Sequence, residues 1–140
     1  MKYIITPLLT LAICLFSGWS SVKAGEADAL PLYLKVSHAL FEDDFAAAKT
    51  AADKLAQSED AGSLAASAEE VAKAATIAEA RESFKVLSAE AIKVAGEGET
   101  YVVMNCPMVK GGGGDWLSAD GKVNNPYYGA KMPHCGGPKK

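Results

Sequence analysis

Two short clusters in this sequence carry soft donors, Met104, Cys106 and Met108 in one and Met132, His134 and Cys135 in the other. Thiolate and thioether sulfurs are soft ligands and select Cu(I) and ions like it. A thiolate-rich tetrahedral Zn²⁺ site is the second candidate. Met104, Cys106 and Met108 alternate. In an extended segment residues two apart point the same way, so their three sulfurs are expected on one face. Pro107 stiffens the chain between two of them. The same cysteines have a plainer reading. They stand 29 positions apart, and in an oxidising compartment two thiols ordinarily pair. By the loop-entropy argument such a bond would add roughly 3–4 kcal/mol. Methionine also fills irregular cores without touching a metal. The spacing contains no CxxC and leaves both readings open. His38, mid-helix among apolar neighbours, reads as a packed or surface histidine.

The compartment follows from the first residues. Lys2 is followed by an almost wholly apolar run from Ile4 to Phe16, then by small polar residues, then by Val22-Lys23-Ala24. This is the pattern of a secretory signal peptide, 1–24, with cleavage after Ala24. The apolar run is too short and wrongly flanked for a membrane anchor. Cys14 is a poor lipidation site, because the branched Ile13 stands where a small residue is wanted. The expected mature chain has about 116 residues, enough for one domain with a modest core. The expected location is periplasmic, with no membrane contact after cleavage.

The full chain has 14 basic and 17 acidic residues. Lys2 and Lys23 leave with the signal, so the mature balance is 12 against 17, or −5. A mildly acidic surface argues against nucleic acid or anionic lipid as partner and weakly favours cations.

The elements that must position the donors fall into two halves. Residues 25–98 are rich in Ala, Leu, Lys and Glu and read as helices. The first spans about Asp28 to Phe41, with Pro31 tolerated in its first turn. Leu30, Tyr33, Leu34, Ser37, Leu40 and Phe41 share one face. Asp43 or Asp44 caps a second helix, where Phe45, Ala48, Ala52 and Leu55 recur at helical spacing. Ser67-Ala-Glu-Glu70 has the form of a capping box before Val71, Ala72 and Ala75, and Thr76-Ile-Ala-Glu79 is another. The last helix carries Ile77, Phe84, Leu87, Ala91 and Val94 along one stripe and stops at Gly96. The fold class is therefore mainly α, an antiparallel bundle of about four helices. A Gly/Pro-rich, irregular C-terminal segment with a short β hairpin follows it. That segment, 99–140, is expected to pack on the bundle within the same domain. Tyr101-Val-Val-Met104 is β-like, Gly111–Gly114 reads as a flexible loop, and Asp120-Gly121 is a hairpin-turn signal. Trp116, Tyr127 and Tyr128 anchor a segment that is too aromatic to be disordered.

The strings Tyr101-Val-Val-Met-Asn-Cys-Pro-Met108, Gly114-Asp-Trp-Leu117, Asn125-Pro-Tyr-Tyr-Gly129 and Met132-Pro-His-Cys-Gly136 resemble a bacterial periplasmic domain family of unknown function. That family occurs alone and fused to adaptor subunits of heavy-metal (copper/silver-type) efflux systems. The helical half is similar in its Leu-Phe-Glu-Asp-Asp44 and Ala-Arg-Glu-Ser-Phe84. The resemblance implies a soft-metal-binding protein, with copper as the ion, that acts in metal handling, tolerance or efflux and has periplasmic efflux components as partners. Residue by residue it carries Cys106, Met108, Met132 and Cys135 into the ligand set. His134 and Met104 are additions of this sequence. Trp116, Asn125, Pro126, Tyr127 and Gly129 match the same pattern and read as scaffold, with Asn125-Pro126 as the turn that brings Met132 and Cys135 back toward Cys106.

The competing reading is a non-metal envelope binding module stapled by a Cys106–Cys135 disulfide. An enzyme is disfavoured. The sequence offers no Ser/His/Asp set, phosphate loop or paired acids, and redox exchange prefers CxxC.

Overall fold

The computed structural model describes residues 25–96, 98 and 100–140. The expected signal peptide lies outside the described residues. Among them no helix is long and apolar enough to cross a membrane.

A 3-10 turn, Glu26–Ala29, leads into α1, Leu30–Phe41, with Pro31 in its first turn. The buried face of α1 is Leu30, Tyr33, Val36, Ser37, Ala39 and Leu40. Leu34 and Phe41 are only half-buried, so the apolar stripe is rotated slightly toward Val36 and Ala39. Asp44 caps α2, Phe45–Ala56, its carboxylate accepting from the Ala47 N–H at 2.9 Å. Asp43 instead faces Arg81 and the Ala130 N–H. Ala48, Ala52 and Leu55 face the core.

The box at Ser67 does not start a helix. A 3-10 turn at Gly62–Leu64 runs straight into α3, Ala65–Lys73, and Ser67 lies inside it with its hydroxyl donating to the Leu64 carbonyl. The physical reason is that the preceding turn already points along the helix axis, so no side-chain cap is needed. The box at Thr76 does form. Thr76 Oγ1 accepts from the Glu79 N–H at 3.2 Å, and Glu79 reaches back to the Ala75 N–H at 2.9 Å. It opens α4, Ile77–Ala95, which ends where Gly96 takes φ +63.

The four helices pack in sequence, and α4 returns to α1. Alanines at Ala48, Ala52, Ala68, Ala80 and Ala91 are fully buried, so the helices approach closely over a core of Leu, Val, Tyr33 and Phe84.

The C-terminal segment builds a three-stranded antiparallel sheet in the order β2-β1-β3. Its strands are β1, Val102–Cys106; β2, Gly114–Ser118; and β3, Gly137–Pro138. The hairpin joins β1 to β2 through Pro107–Gly113, with Gly111, Gly112 and Gly113 all at positive φ. Asp120-Gly121 is therefore not the hairpin turn. It closes a turn beyond β2, where the Asp120 carboxylate accepts from the Lys122 N–H and the Ser118 hydroxyl. Three consecutive glycines take the left-handed turn at little cost, which leaves Asp120-Gly121 free to end the strand. Gly114 itself belongs to β2.

One apolar cluster spans both halves. Tyr33 stacks on Phe84 with ring centroids 5.4 Å apart, and Phe84 meets Tyr127 at 5.6 Å. Tyr127 meets Trp116 edge-on at 6.2 Å. The sheet is thus laid on α4 through aromatic contacts.

Candidate functional site

The site rests on β1. Alternation along the strand buries Met104 and Cys106 and leaves Val103 and Asn105 half-buried. Met104 stands opposite Trp116 and Cys106 opposite Gly114. Gly114 is needed there, because a Cβ would fall 2.6 Å from the Tyr127 ring. The alternation stops at Pro107. The chain turns, and the Val109 N–H bonds to the Cys106 carbonyl at 3.4 Å. Met108 is consequently 62% exposed in the turn rather than third in a row of inward sulfurs. Tyr128 fixes that turn by donating its hydroxyl to the Met108 carbonyl at 2.6 Å.

The second cluster is brought to the first by one residue. Asn125 is fully buried and all its polar groups are used. Its N–H donates to the Pro133 carbonyl at 2.9 Å, and its Nδ2 donates to the Cys135 carbonyl at 2.8 Å. Its Oδ1 accepts from the Tyr127 N–H at 2.9 Å. The segment 133–135 is therefore clamped by side chain and backbone of Asn125. Gly136 completes the approach at φ +118, where a Cβ would stand 2.4 Å from the Asn105 carbonyl oxygen and 3.2 Å from Cys106 Cα. No side chain fits, so the dipeptide Cys135-Gly136 is what lets the second thiol reach the strand.

The outcome is a thiol pair. Cys106 Sγ and Cys135 Sγ lie 2.8 Å apart. Cys106 is fully buried and Cys135 half-buried. The hydrogen bond to Cys106 holds the Cys135 thiol above the ordinary thiol range, with burial adding to the shift. Met132 is half-buried in the same turn, its carbonyl accepting from the Cys135 N–H at 3.2 Å. His134 is exposed, with Nδ1 at 2.8 Å from the Val123 carbonyl. Among the described residues no three His, Cys, Asp or Glu side chains gather at one point. The structure thus brings Cys106 to Cys135, places Met132 in the same turn and Met104 on the same strand face, and leaves Met108 and His134 on the outside.

A family profile described as protein of unknown function (DUF3347) matches residues 29–101, just over half of the chain. The chain belongs to this family. In this DUF3347 protein the matched stretch is the helical half together with Tyr101, and it ends before Cys106. The Cys-Pro-Met, Asn-Pro-Tyr and Cys-Gly strings lie beyond it. No curated protein and no solved structure matches the chain.

Two polar nodes fix the C-terminal segment of the DUF3347 protein to its bundle. In the first, the Tyr33 hydroxyl lies 2.7 Å from Ser88 Oγ and accepts from the Leu117 N–H at 3.2 Å. Ser88 donates to the Asp115 carbonyl at 2.7 Å, and the Tyr127 hydroxyl donates to the same oxygen at 2.6 Å. Burial pushes both tyrosines far above the ordinary phenol range, so they remain neutral donors. In the second node, Arg81 on α4 donates Nε to the Pro126 carbonyl at 2.9 Å and Nη2 to the Leu40 carbonyl at 2.8 Å. The same nitrogen meets Asp43 Oδ1 at 2.5 Å, and Asp43 Oδ2 accepts from the Ala130 N–H at 2.9 Å. Gly129 sits against this pair, where a Cβ would fall 2.3 Å from the Asp43 carboxylate. Asp43 takes φ +58, an unusual conformation for a residue with a Cβ, and its two bonds hold it there. Sequence reasoning assigned no role to Asp43 beyond a cap, none to Arg81 and none to Ser88. A lone Arg in an Ala-rich helix facing a Pro-Tyr-Tyr-Gly turn is the kind of signal that finds such a clamp.

Proposed function

We propose that this DUF3347 protein is an exported soft-metal-binding protein that holds Cu(I) between Cys106 and Cys135 and serves metal handling, tolerance or efflux in the periplasm. The observation that supports this reading is the thiol pair, whose sulfurs stand 2.8 Å apart on a strand and a clamped turn and would move apart to take an ion between them. Two thiolates make a soft donor set, and Cu(I) accepts low coordination numbers. A structural Zn²⁺ site wants four ligands, and among the described residues the pair has no third His, Cys, Asp or Glu beside it. Met132, in the turn that carries Cys135, is the proposed third donor. Asn125 and Gly136 hold the two sulfurs near each other before any ion arrives, which lowers the ordering cost of binding. The residues thus act as binding groups, and no catalytic role is assigned to them. Efflux components are the proposed partners.

The test is competition for Cu(I) between the reduced protein and a chromophoric chelator. Cys106→Ser is expected to weaken binding on the order of 100-fold or more, as loss of a ligand should exceed the 10–100-fold typical of second-shell losses. Met132→Leu is expected to weaken it less, and Met108→Leu and His134→Gln hardly at all. Unchanged affinity in Cys106→Ser sinks the reading.

The same proximity supports one alternative, a non-metal envelope module in which a Cys106–Cys135 bond staples β3 and the tail onto β1. A thiol count on protein taken from the periplasm decides between them. Two free thiols under native conditions exclude the staple.

A further inference from the structure

We propose that the open groove beside Cys135 receives a small anionic thiol, or the disulfide it forms, and that exchange with this molecule switches the Cys106–Cys135 pair between dithiol and disulfide. The inference deepens the metal reading, because only the dithiol can hold an ion. It also keeps its meaning if the pair is a staple.

Access is the first observation. Cys106 is fully buried, whereas Cys135 is half-buried and lines the wall of a groove of about 980 Å³ between the C-terminal half of α4 and the β1–β3 edge. A thiol arriving from solvent meets the Cys135 sulfur. That volume suits a molecule of tripeptide size.

Charge is the second. The groove is lined by Lys85, Lys93, Lys139 and Lys140 against one acidic side chain, Asp115, in a chain whose net charge is −3. Asp115 is already engaged by Lys139 at 2.5 Å and by Asn105 Nδ2 at 2.6 Å. Lys85 and Lys93 also meet Glu82 and Glu90 on α4 at 3.2 and 2.8 Å, and Lys85 donates to the Lys110 carbonyl at 2.6 Å; Lys93 is well exposed, and an ion pair at such a position is weak. Ammonium groups around the groove attract a carboxylate-bearing thiol and raise its thiolate share.

In the reducing direction the ligand thiolate attacks Cys135 Sγ. The Cys106–Cys135 bond breaks, its electron pair leaves on Cys106, and Cys106 takes a proton from solvent. A second ligand thiolate then attacks the ligand sulfur of the mixed disulfide. The small disulfide forms, and Cys135 leaves as thiolate and is protonated. Two small thiols are oxidised as the protein disulfide is reduced to two thiols. The small disulfide drives the reverse.

The experiment oxidises the full chain with an anionic disulfide and follows its reduction by 3-mercaptopropionate, 2-mercaptoethanol and cysteamine, with rates compared per thiolate. The anionic thiol is expected to react about tenfold faster than the neutral one at low salt. The cationic thiol should be slowest, and high salt should level all three. Lys93→Gln combined with Lys140→Gln should abolish the advantage. Lys35→Gln combined with Lys54→Gln, on the α1–α2 face, should leave it intact. Quenching with an alkylating agent should trap the mixed disulfide on Cys135 and the alkyl group on Cys106. The proposal is overturned by equal rates for the three thiols, by a mixed disulfide on Cys106, or by a pair that cannot be oxidised. Cu(I) titration of the reduced protein is independent of all this. Intact Cu(I) binding without charge-selective exchange condemns only the groove, and the converse condemns only the metal reading.

Discussion

The helical half and the C-terminal segment are held by different physics. In α1–α4 stability comes from repetition, with a small or apolar residue buried at nearly every third or fourth position and each neighbour contributing a little. From Val102 onward little repeats. The segment is placed by single atoms: two carbonyls on Asn125, one on Ser88, one on Arg81, and three glycines where a methyl group would collide. Losing one contact in the first half should weaken the whole, while losing one in the second should release a part. The two halves share Phe84, and there the difference should vanish.

Phe84→Ala is therefore expected to have the largest effect. The ring is fully buried between Tyr33 and Tyr127. Truncation of such a residue costs about 3–5 kcal/mol, a large share of the stability of a domain this size. Urea unfolding followed by helix content and by Trp116 fluorescence should show both transitions moving together. Separate transitions would mean that the halves are not one cooperative unit.

Asn125→Ala should separate them. It removes the side-chain bonds to Cys135 and Tyr127 and keeps the two backbone bonds, to Pro133 and from the Gly129 N–H. The expected loss is about 2–3 kcal/mol, since buried carbonyl and amide groups are left unmatched. Helical circular dichroism should persist, while hydrogen exchange at 133–139 accelerates and the thiol pair opens. Equal protection of the tail in the variant would show that β3 holds without the clamp.

This contrast also explains what was legible in the sequence. Repetition is a signal that residue types carry, so four helices, the Asp44 cap, the Thr76 box and the stop at Gly96 could all be read from spacing. The start of α3 could not, because a 3-10 turn feeding a helix leaves no capping residue to find. In the tail, Asn125 and Cys135 were readable only as members of strings, and the geometry adds the reason for them. Met108 was misplaced because period-two reasoning holds only while the strand lasts, and Pro107 ends it. Ser88 and Arg81 were invisible for the opposite reason. Each sits at an ordinary helical position, and its partner is a backbone carbonyl whose place no side-chain pattern encodes.

Ser88→Ala is a smaller and more selective probe of the join. The Tyr33 hydroxyl loses its acceptor but keeps the Leu117 N–H as donor, and the Asp115 carbonyl keeps Tyr127. One group is left short, so about 1–2 kcal/mol is expected. The urea midpoint should fall without a change in slope. Tyr33→Phe should reproduce most of that loss, and the double variant should cost less than the sum, because the two hydroxyls serve one interaction. Strict additivity would mean that Tyr33 and Ser88 act separately.

The smallest effect concerns pH and the outer clamp. The Arg81 hydrogen bond beside Asp43, helped by the Ala130 N–H, holds its carboxyl below the usual carboxylate range. A group whose pKa is depressed on folding adds stability above its unfolded value, near 3.9, and that stability drains away as pH falls through the folded value. Asp43 is partly exposed and salt screens it, so the effect should be modest and should shrink at high ionic strength. Asp43→Asn is the informative change. Asparagine tolerates the positive φ and can still accept from the Ala130 N–H, but it does not titrate. Between pH 5 and pH 2 the native chain should lose stability more steeply than Asp43→Asn, and the extra loss should show first as faster exchange at 126–130 rather than in α4. If both proteins lose stability with the same slope, the clamp is held by its neutral hydrogen bonds, and the charge on Asp43 is incidental to joining the tail to the bundle.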